Sequence, residues 1–220
     1  MKKTYVEFVC EEMSKEKIGI PIYSNQMAAK IENAFNLEPK AAASATAVAF
    51  KRILDGKAMA DLRTYQKGIY YRTVATAFGE IGINKEQLIA DKYLLPDIGY
   101  ETGPAVLRRM GLTSQMPRVR LLATNIAKNC VRADKKLEIM IRPPKVAVTA
   151  GNKAYLQILD VLDMMERIPV DEEQPYFVVA KHIRERKLQY DVLLALADHY
   201  YNQNTVLRLA HTASAGEIRI

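Results

Sequence analysis

Apolar residues recur at helical spacing over roughly the first 55 positions, alternate at β spacing near 62–72 and again between 118 and 142, and return to helical spacing from residue 152. The pattern predicts a helix near residues 3–14, then a break at Gly19 and Pro21. A second helix covers SNQMAAKIENAF, with Ser24 or Asn25 as N-cap and Met27, Ile31 and Ala34/Phe35 on one face. Asn36, Leu37 and Glu38 interrupt it. Pro39 suits the first turn of a third helix, where its missing N–H costs nothing, and this helix runs to a stop near Gly56. It has two faces: Ala42, Ala45, Ala49 and Ile53 form one stripe, and Lys40, Ser44, Ala47 and Lys51 form the opposite one. Short side chains suit both high helix propensity and close approach of the backbone to a groove.

The stretch RTYQKGIYYR, residues 63–72, reads as a β-hairpin with basic side chains and no acid. A two-residue turn at Lys67-Gly68 pairs Arg63 directly with Arg72. A three-residue turn over Gln66, Lys67 and Gly68 pairs Tyr65 with Ile69 and removes the arginine pair. Opposed like charges destabilise a hairpin in water, and a phosphate ligand would reverse that sign. Basic residues also protect edge strands from aggregation, so a solvated edge is the competing reading. Two helices joined by a short turn and followed by a hairpin is the element order of a winged helix-turn-helix.

Residues 76–145 read as an α+β unit: INKEQLIADKYLL is helical, ETGPAVLRRMG is a short helix with Pro104 in its first turn and Gly111 just past its end, and RVRLLAT and KLEIMIR are strands joined by NIAKNCVRADK. Beyond residue 152 three helical patterns follow, the first with Tyr155, Leu159, Leu162 and Met165 as its apolar stripe, and TASAGEIRI is expected to fray. The expected architecture is α+β: a winged helix-turn-helix over 1–75, then an α+β domain over 76–220 that ends in helices.

Charge sharpens this picture. The net +7 is concentrated, with 12 Lys/Arg against 8 Asp/Glu in residues 1–75 and 8 against 2 in residues 116–145. Both blocks suit a polyanionic partner, with a solvated basic surface as the competing reading that charge alone does not decide. In the second block Arg118, Arg120, Lys128, Arg132, Lys135 and Lys136 form a second candidate nucleic-acid patch, with a charged hairpin in water as the alternative. At 49% hydrophobic and 26% charged, the chain has the makeup of a globular protein able to build its own core.

No signal-peptide h-region and no apolar run of membrane length are read in the sequence, and Cys10 and Cys130 stand alone, so a cytoplasmic protein without a membrane partner is expected. No phosphate-cradling glycine motif, zinc spacing or serine-hydrolase elbow occurs, so neither catalysis, cofactor nor metal is expected. One fragmentary nuclease-like set, Pro96-Asp97 with Glu185-Arg186-Lys187, requires its carboxylates to converge from strand ends, whereas Glu185 falls in a helical pattern.

YQKGIYYR followed by TAFGEI at 76–81, IGYETGPAVLRRMGLTSQMPRVRLLATN at 98–125, and the later IRPPK and LQILDVL resemble the AbiEi-like antitoxin and transcriptional regulator proteins of bacterial type IV toxin-antitoxin (abortive infection) systems. GLTSQMP, with the preceding G-x-x-x-L-x-x-M, is the most specific part, and the resemblance covers about residues 18–170. It implies an N-terminal winged helix-turn-helix that binds and represses the operon's own promoter, and a C-terminal domain needed for antitoxicity. It also implies functional pairing with a nucleotidyltransferase-like toxin, for which a stable complex is not required. On this reading Lys40, Ser44 and Lys51 face the major groove of double-stranded DNA, while Arg63, Lys67 and Arg72 hold phosphates or reach a minor groove. The competing reading is a protein-interaction module, or a regulator with no toxin partner.

Overall fold

The computed structural model describes residues 3–217, and the protein is mixed α+β. The chain divides into two compact units, Met1–Leu88 and Ile89–Ile220.

In the first unit α1 (Tyr5–Ser14) starts with a reciprocal capping box. The Glu7 N–H donates to Thr4 Oγ1 at 3.2 Å, and the Thr4 N–H donates to Glu7 Oε2 at 2.8 Å. After the short strand β1 (Ile22–Tyr23) come α2 (Ser24–Phe35) and α3 (Pro39–Asp55). The expected side-chain cap on α2 is not used. Tyr23 occupies the N-cap position, and the Ser24 N–H is satisfied by the Gly68 carbonyl at 2.9 Å, because β1 runs straight into the helix while paired to the hairpin. Asn36, in the left-handed region at φ 50°, turns the chain between α2 and α3. Val9, Met13, Ile31, Ala42, Ala49, Phe50 and Ile53 form the core of these three helices.

Strands β2 (Leu62–Gln66) and β3 (Ile69–Arg72) form the anticipated hairpin and, with β1, an antiparallel sheet in the order β1-β3-β2. Gly68 takes φ 81° in the turn, a conformation open to glycine. Gln66 pairs with Ile69 as a two-residue turn requires, but the register then shifts at Tyr65, so that Thr64 faces Tyr70, Arg63 faces Tyr71 and Leu62 faces Arg72. The direct Arg63–Arg72 pair is therefore absent. The bulge places one more residue on β2 than on β3, which lets Tyr70 stack on Phe50 of α3 at 4.0 Å between ring centroids and 7° between planes.

A second, smaller hairpin, β4 (Ala75–Thr76) with β5 (Gly79–Glu80), follows directly. Its return leg bonds back to the first unit through Ile81 N–H to the Val74 carbonyl, Thr73 Oγ1 to the Ile81 carbonyl and Asn84 N–H to the Gly19 carbonyl. These bonds hold residues 76–88 to the first unit, so the division falls beyond the boundary expected at 75/76.

The chain continues through α4 (Lys85–Ile89), whose helix widens into a π-helical turn over Ala90–Leu94. In the second unit β6 (Gly99–Thr102), β7 (Arg120–Thr124), β8 (Arg132–Asp134) and β9 (Ile139–Arg142) form a sheet in the order β6-β7-β9-β8. The two strands read from the sequence, β7 and β9, pair in parallel, so the hairpin of this region is instead β8 with β9. Helix α5 (Pro104–Arg109) ends at Gly111, φ 79°.

Helices α6 (Lys153–Met164), α7 (Pro175–Glu185), α8 (Tyr190–Tyr200) and α9 (Gln203–Glu217) complete the unit. Helix α6 is its centre, with Leu156, Ile158, Leu159, Val161 and Leu162 all fully buried. Residues 212–217, expected to fray, are helical in α9, and the remainder of that expectation lies outside the described residues.

Candidate nucleic-acid interface

On α3 the buried stripe and the outer stripe separate as their spacing requires. Ala42, Ala49 and Ile53 are buried, while Lys40, Ser44, Ala47 and Lys51 are exposed. The helix begins at Pro39 without a side-chain cap and ends at Gly56, so Lys40 sits in its first turn and Lys51 in its penultimate one. Among the described residues neither lysine is drawn into an ion pair. The outer arc is wider than the four residues read from the sequence. Val48, half exposed, and Arg52 lie four and eight positions after Ser44, a spacing that was open to detection.

Ser44, Val48 and Arg52 also line a groove of about 1240 Å³ walled by Tyr5, Val6 and Phe8 of α1 and by Phe35 at the end of α2. The Phe35 ring meets Tyr5 edge-on at 4.7 Å and Phe8 at 5.4 Å. The groove was not read from the sequence, because it depends on how α1 crosses α3.

The hairpin arginines have different surroundings from those a naked wing would provide. Arg63 donates its Nε proton to Glu80 Oε2 at 3.1 Å and a second guanidinium proton to Glu80 Oε1, and it also reaches the Ala60 carbonyl at 2.8 Å. That hydrogen bond holds the Glu80 carboxyl below its ordinary range and raises the Arg63 guanidinium. Arg72 is more enclosed. Its Nε donates to Asp61 Oδ2 at 2.7 Å and its Nη1 to the Ser14 and Glu16 carbonyls at 3.0 and 3.2 Å, which ties β3 to the end of α1. Asp61 and Glu80 lie outside the ten-residue stretch whose lack of acids drew attention. Lys67, at the turn, is exposed and forms no ion pair among the described residues. It is the cation that the hairpin presents outward.

The second basic block is split by the fold. Arg118 and Lys128 are exposed in loops on either side of β7. Arg120 lies on β7 and donates to Glu101 Oε1 at 2.8 Å, the same carboxylate that Arg109 grips at 2.7 Å. Arg132, Lys135 and Lys136, from β8 and the turn after it, converge on one cleft of about 390 Å³ with Lys92, Tyr93 and Asp134. Lys92 and Tyr93 were not foreseen at this site, since they arrive from a helix about forty residues upstream.

The nuclease-like set is not assembled as a carboxylate cluster. Asp97 faces Lys153 at 3.8 Å, while Glu185 faces Lys181 at 3.9 Å and His182 at 3.6 Å on its own helix. Among the described residues no group of three or more His, Cys, Asp or Glu side chains gathers as a metal site, and no helix is long and apolar enough to cross a membrane. Comparison with protein-family models, with curated proteins and with solved structures finds no match to this chain.

Proposed function

We propose that this protein is a DNA-binding transcriptional repressor of the AbiEi-like class, serving as the antitoxin of a type IV toxin-antitoxin system and repressing its own operon. The observation that carries the reading is the order of the first unit: helix, short strand, helix, three-residue turn, helix and two-stranded hairpin, with the sheet in the order β1-β3-β2. A winged helix-turn-helix has this order, with its second paired helix in the major groove and its hairpin beside the backbone. Helix α3 meets the requirement, since its outer face is short-chained and carries exposed cations near both ends.

Lys40, Lys51 and Lys67 contact phosphates and fix the register, and Ser44 with Val48 meets base edges. Arg63 and Arg72 serve mainly to hold the wing in shape, and they contribute positive potential rather than direct bonds. The reading is tested by titrating the full chain against duplex DNA from immediately upstream of its gene, with an unrelated duplex as competitor. Preferential binding of the upstream DNA supports it. Equal, salt-insensitive or absent binding overturns it. The antitoxin part is tested separately by co-expression with a nucleotidyltransferase-like protein, should the neighbouring genes encode one. Rescue of growth is expected, and continued arrest would leave only the regulator.

A second reading, a protein-interaction module, is favoured by one observation, the apolar groove between α1 and α3. Co-purification of a neighbour-encoded protein, together with no response to DNA, would select it.

A further inference from the structure

The cleft at the free edge of the second unit's sheet brings together side chains far apart in sequence. β8 is one of the sheet's two edge strands, paired with β9 on one side only. It presents Arg132 and leads into Lys135 and Lys136, all exposed, while the π-helical turn supplies Lys92 and Tyr93 from the opposite wall. π-Helical turns sacrifice regular hydrogen bonding and recur at functional sites, where the extra residue re-aims a side chain.

Asp134 is the one carboxylate among the lining residues, and most of its acceptor capacity is already used. Oδ2 receives Lys92 Nζ at 2.8 Å and Tyr93 Oη at 2.7 Å, and Oδ1 receives the Leu137 N–H at 3.3 Å. Burial works to raise the Asp134 pKa, and the hydrogen bonds from Lys92, Tyr93 and Leu137 outweigh it, holding the carboxyl down to about 2. Asp134 therefore neutralises Lys92 and fixes the wall. It leaves the charge of Arg132 and Lys135 unanswered: both are exposed, and among the described residues neither forms a salt bridge or side-chain hydrogen bond. Ala133 and Ile141 give the cleft a small apolar floor.

We propose that this cleft is a binding site for a nucleotide phosphate, gripped by Arg132 and Lys135 against the wall set by Lys92, Tyr93 and Asp134. A guanidinium beside an ammonium is the donor set that planar, multidentate phosphate recognition uses. A cleft of about 390 Å³ accommodates one nucleotide rather than a duplex groove, and lies within the range of small-ligand sites. The phosphate belongs either to a free nucleotide or to one residue of a single strand. The site is independent of the proposed wing, which recognises duplex DNA with other residues in the other unit.

The test uses the full chain, a fluorescein-labelled oligothymidylate followed by anisotropy across a salt series, and AMP as competitor. Wild type is expected to bind the oligonucleotide saturably. Arg132→Ala/Lys135→Ala is expected to weaken binding at least tenfold, and loss of two phosphate contacts flattens the log–log salt slope by about 1.4. Arg132→Lys/Lys135→Arg is expected to keep the wild-type slope. Given that loss, displacement by AMP assigns the site to a free nucleotide, and failure to displace assigns it to a strand. Unchanged affinity and slope in Arg132→Ala/Lys135→Ala would overturn the site, as would the absence of saturable binding to either probe by wild type. Retained promoter binding alongside either of those results would sink the cleft and leave the wing standing.

Discussion

Arg72 and Lys67 lie five residues apart in the same hairpin, and their surroundings give them separate tasks. Arg72 bonds Asp61 and two carbonyls at the end of α1, so removing its side chain strands a carboxylate and two acceptors. Arg72→Ala is expected to lower unfolding stability by about 2 kcal/mol, the range for hydrogen bonds to charged groups, as read by urea denaturation. Lys67→Ala is expected to leave the urea midpoint unchanged and to weaken DNA binding. Asp134 offers a pH test at the same scale. Its folded pKa of about 2 lies below the usual 3.8, so its contribution is fully present above about pH 4 and is lost as pH falls toward about 2. Asp134→Asn is expected to lower the urea midpoint at neutral pH, with the difference from wild type closing in acid. A gap that stayed constant across that window would contradict the pairing.

Elements were legible in proportion to their length. Helices α1 to α3 follow from runs of ten residues or more with a clear apolar stripe, bounded by Pro and Gly. Strands β4, β5 and β8, of two or three residues, offer no window in which a period shows. Glu101 and Thr102 of β6 were read as the start of the short helix ETGPAVLRRMG, but they belong to a strand, and the helix begins only at Pro104. The hairpin turn was legible from Lys67-Gly68, but the bulge at Tyr65 was not, because it answers to the stacking of Tyr70 on Phe50, a contact with another element. Asp160 shows the same limit on α6. Fully buried among leucines, it accepts from Tyr100 Oη, Thr102 Oγ1 and Tyr201 Oη, each at 2.9 Å, and from Arg142. Burial, then the Asp160 charge, raises both tyrosine hydroxyls above their ordinary range, so they remain donors. This cluster ties α6 to β6, β9 and the end of α8. Asp160→Ala leaves the Arg142 charge buried without its partner and is expected to cost about 3–5 kcal/mol, measured by thermal or urea unfolding. A loss below about 1 kcal/mol would show that the cluster is not a structural joint.

For the whole molecule, the uneven charge along the chain was readable in advance, whereas its division among sites was not. Of the basic residues singled out, Arg63, Arg72 and Arg120 are engaged by carboxylates from other segments, while Lys40, Lys51, Lys67, Arg132 and Lys135 remain available to a ligand. Partners such as Glu80 for Arg63 lie seventeen residues away, and no local pattern announces them. The central claim is that the first unit binds duplex DNA through α3 and the tip of the hairpin. It is tested most directly by the salt dependence of binding to the upstream promoter duplex, comparing wild type with Lys40→Ala/Lys51→Ala/Lys67→Ala. Three lost phosphate contacts are expected to flatten the log–log slope by about 2.7, with the fold intact by circular dichroism. The same slope and affinity in the variant, or no salt-sensitive binding by wild type, would contradict the account.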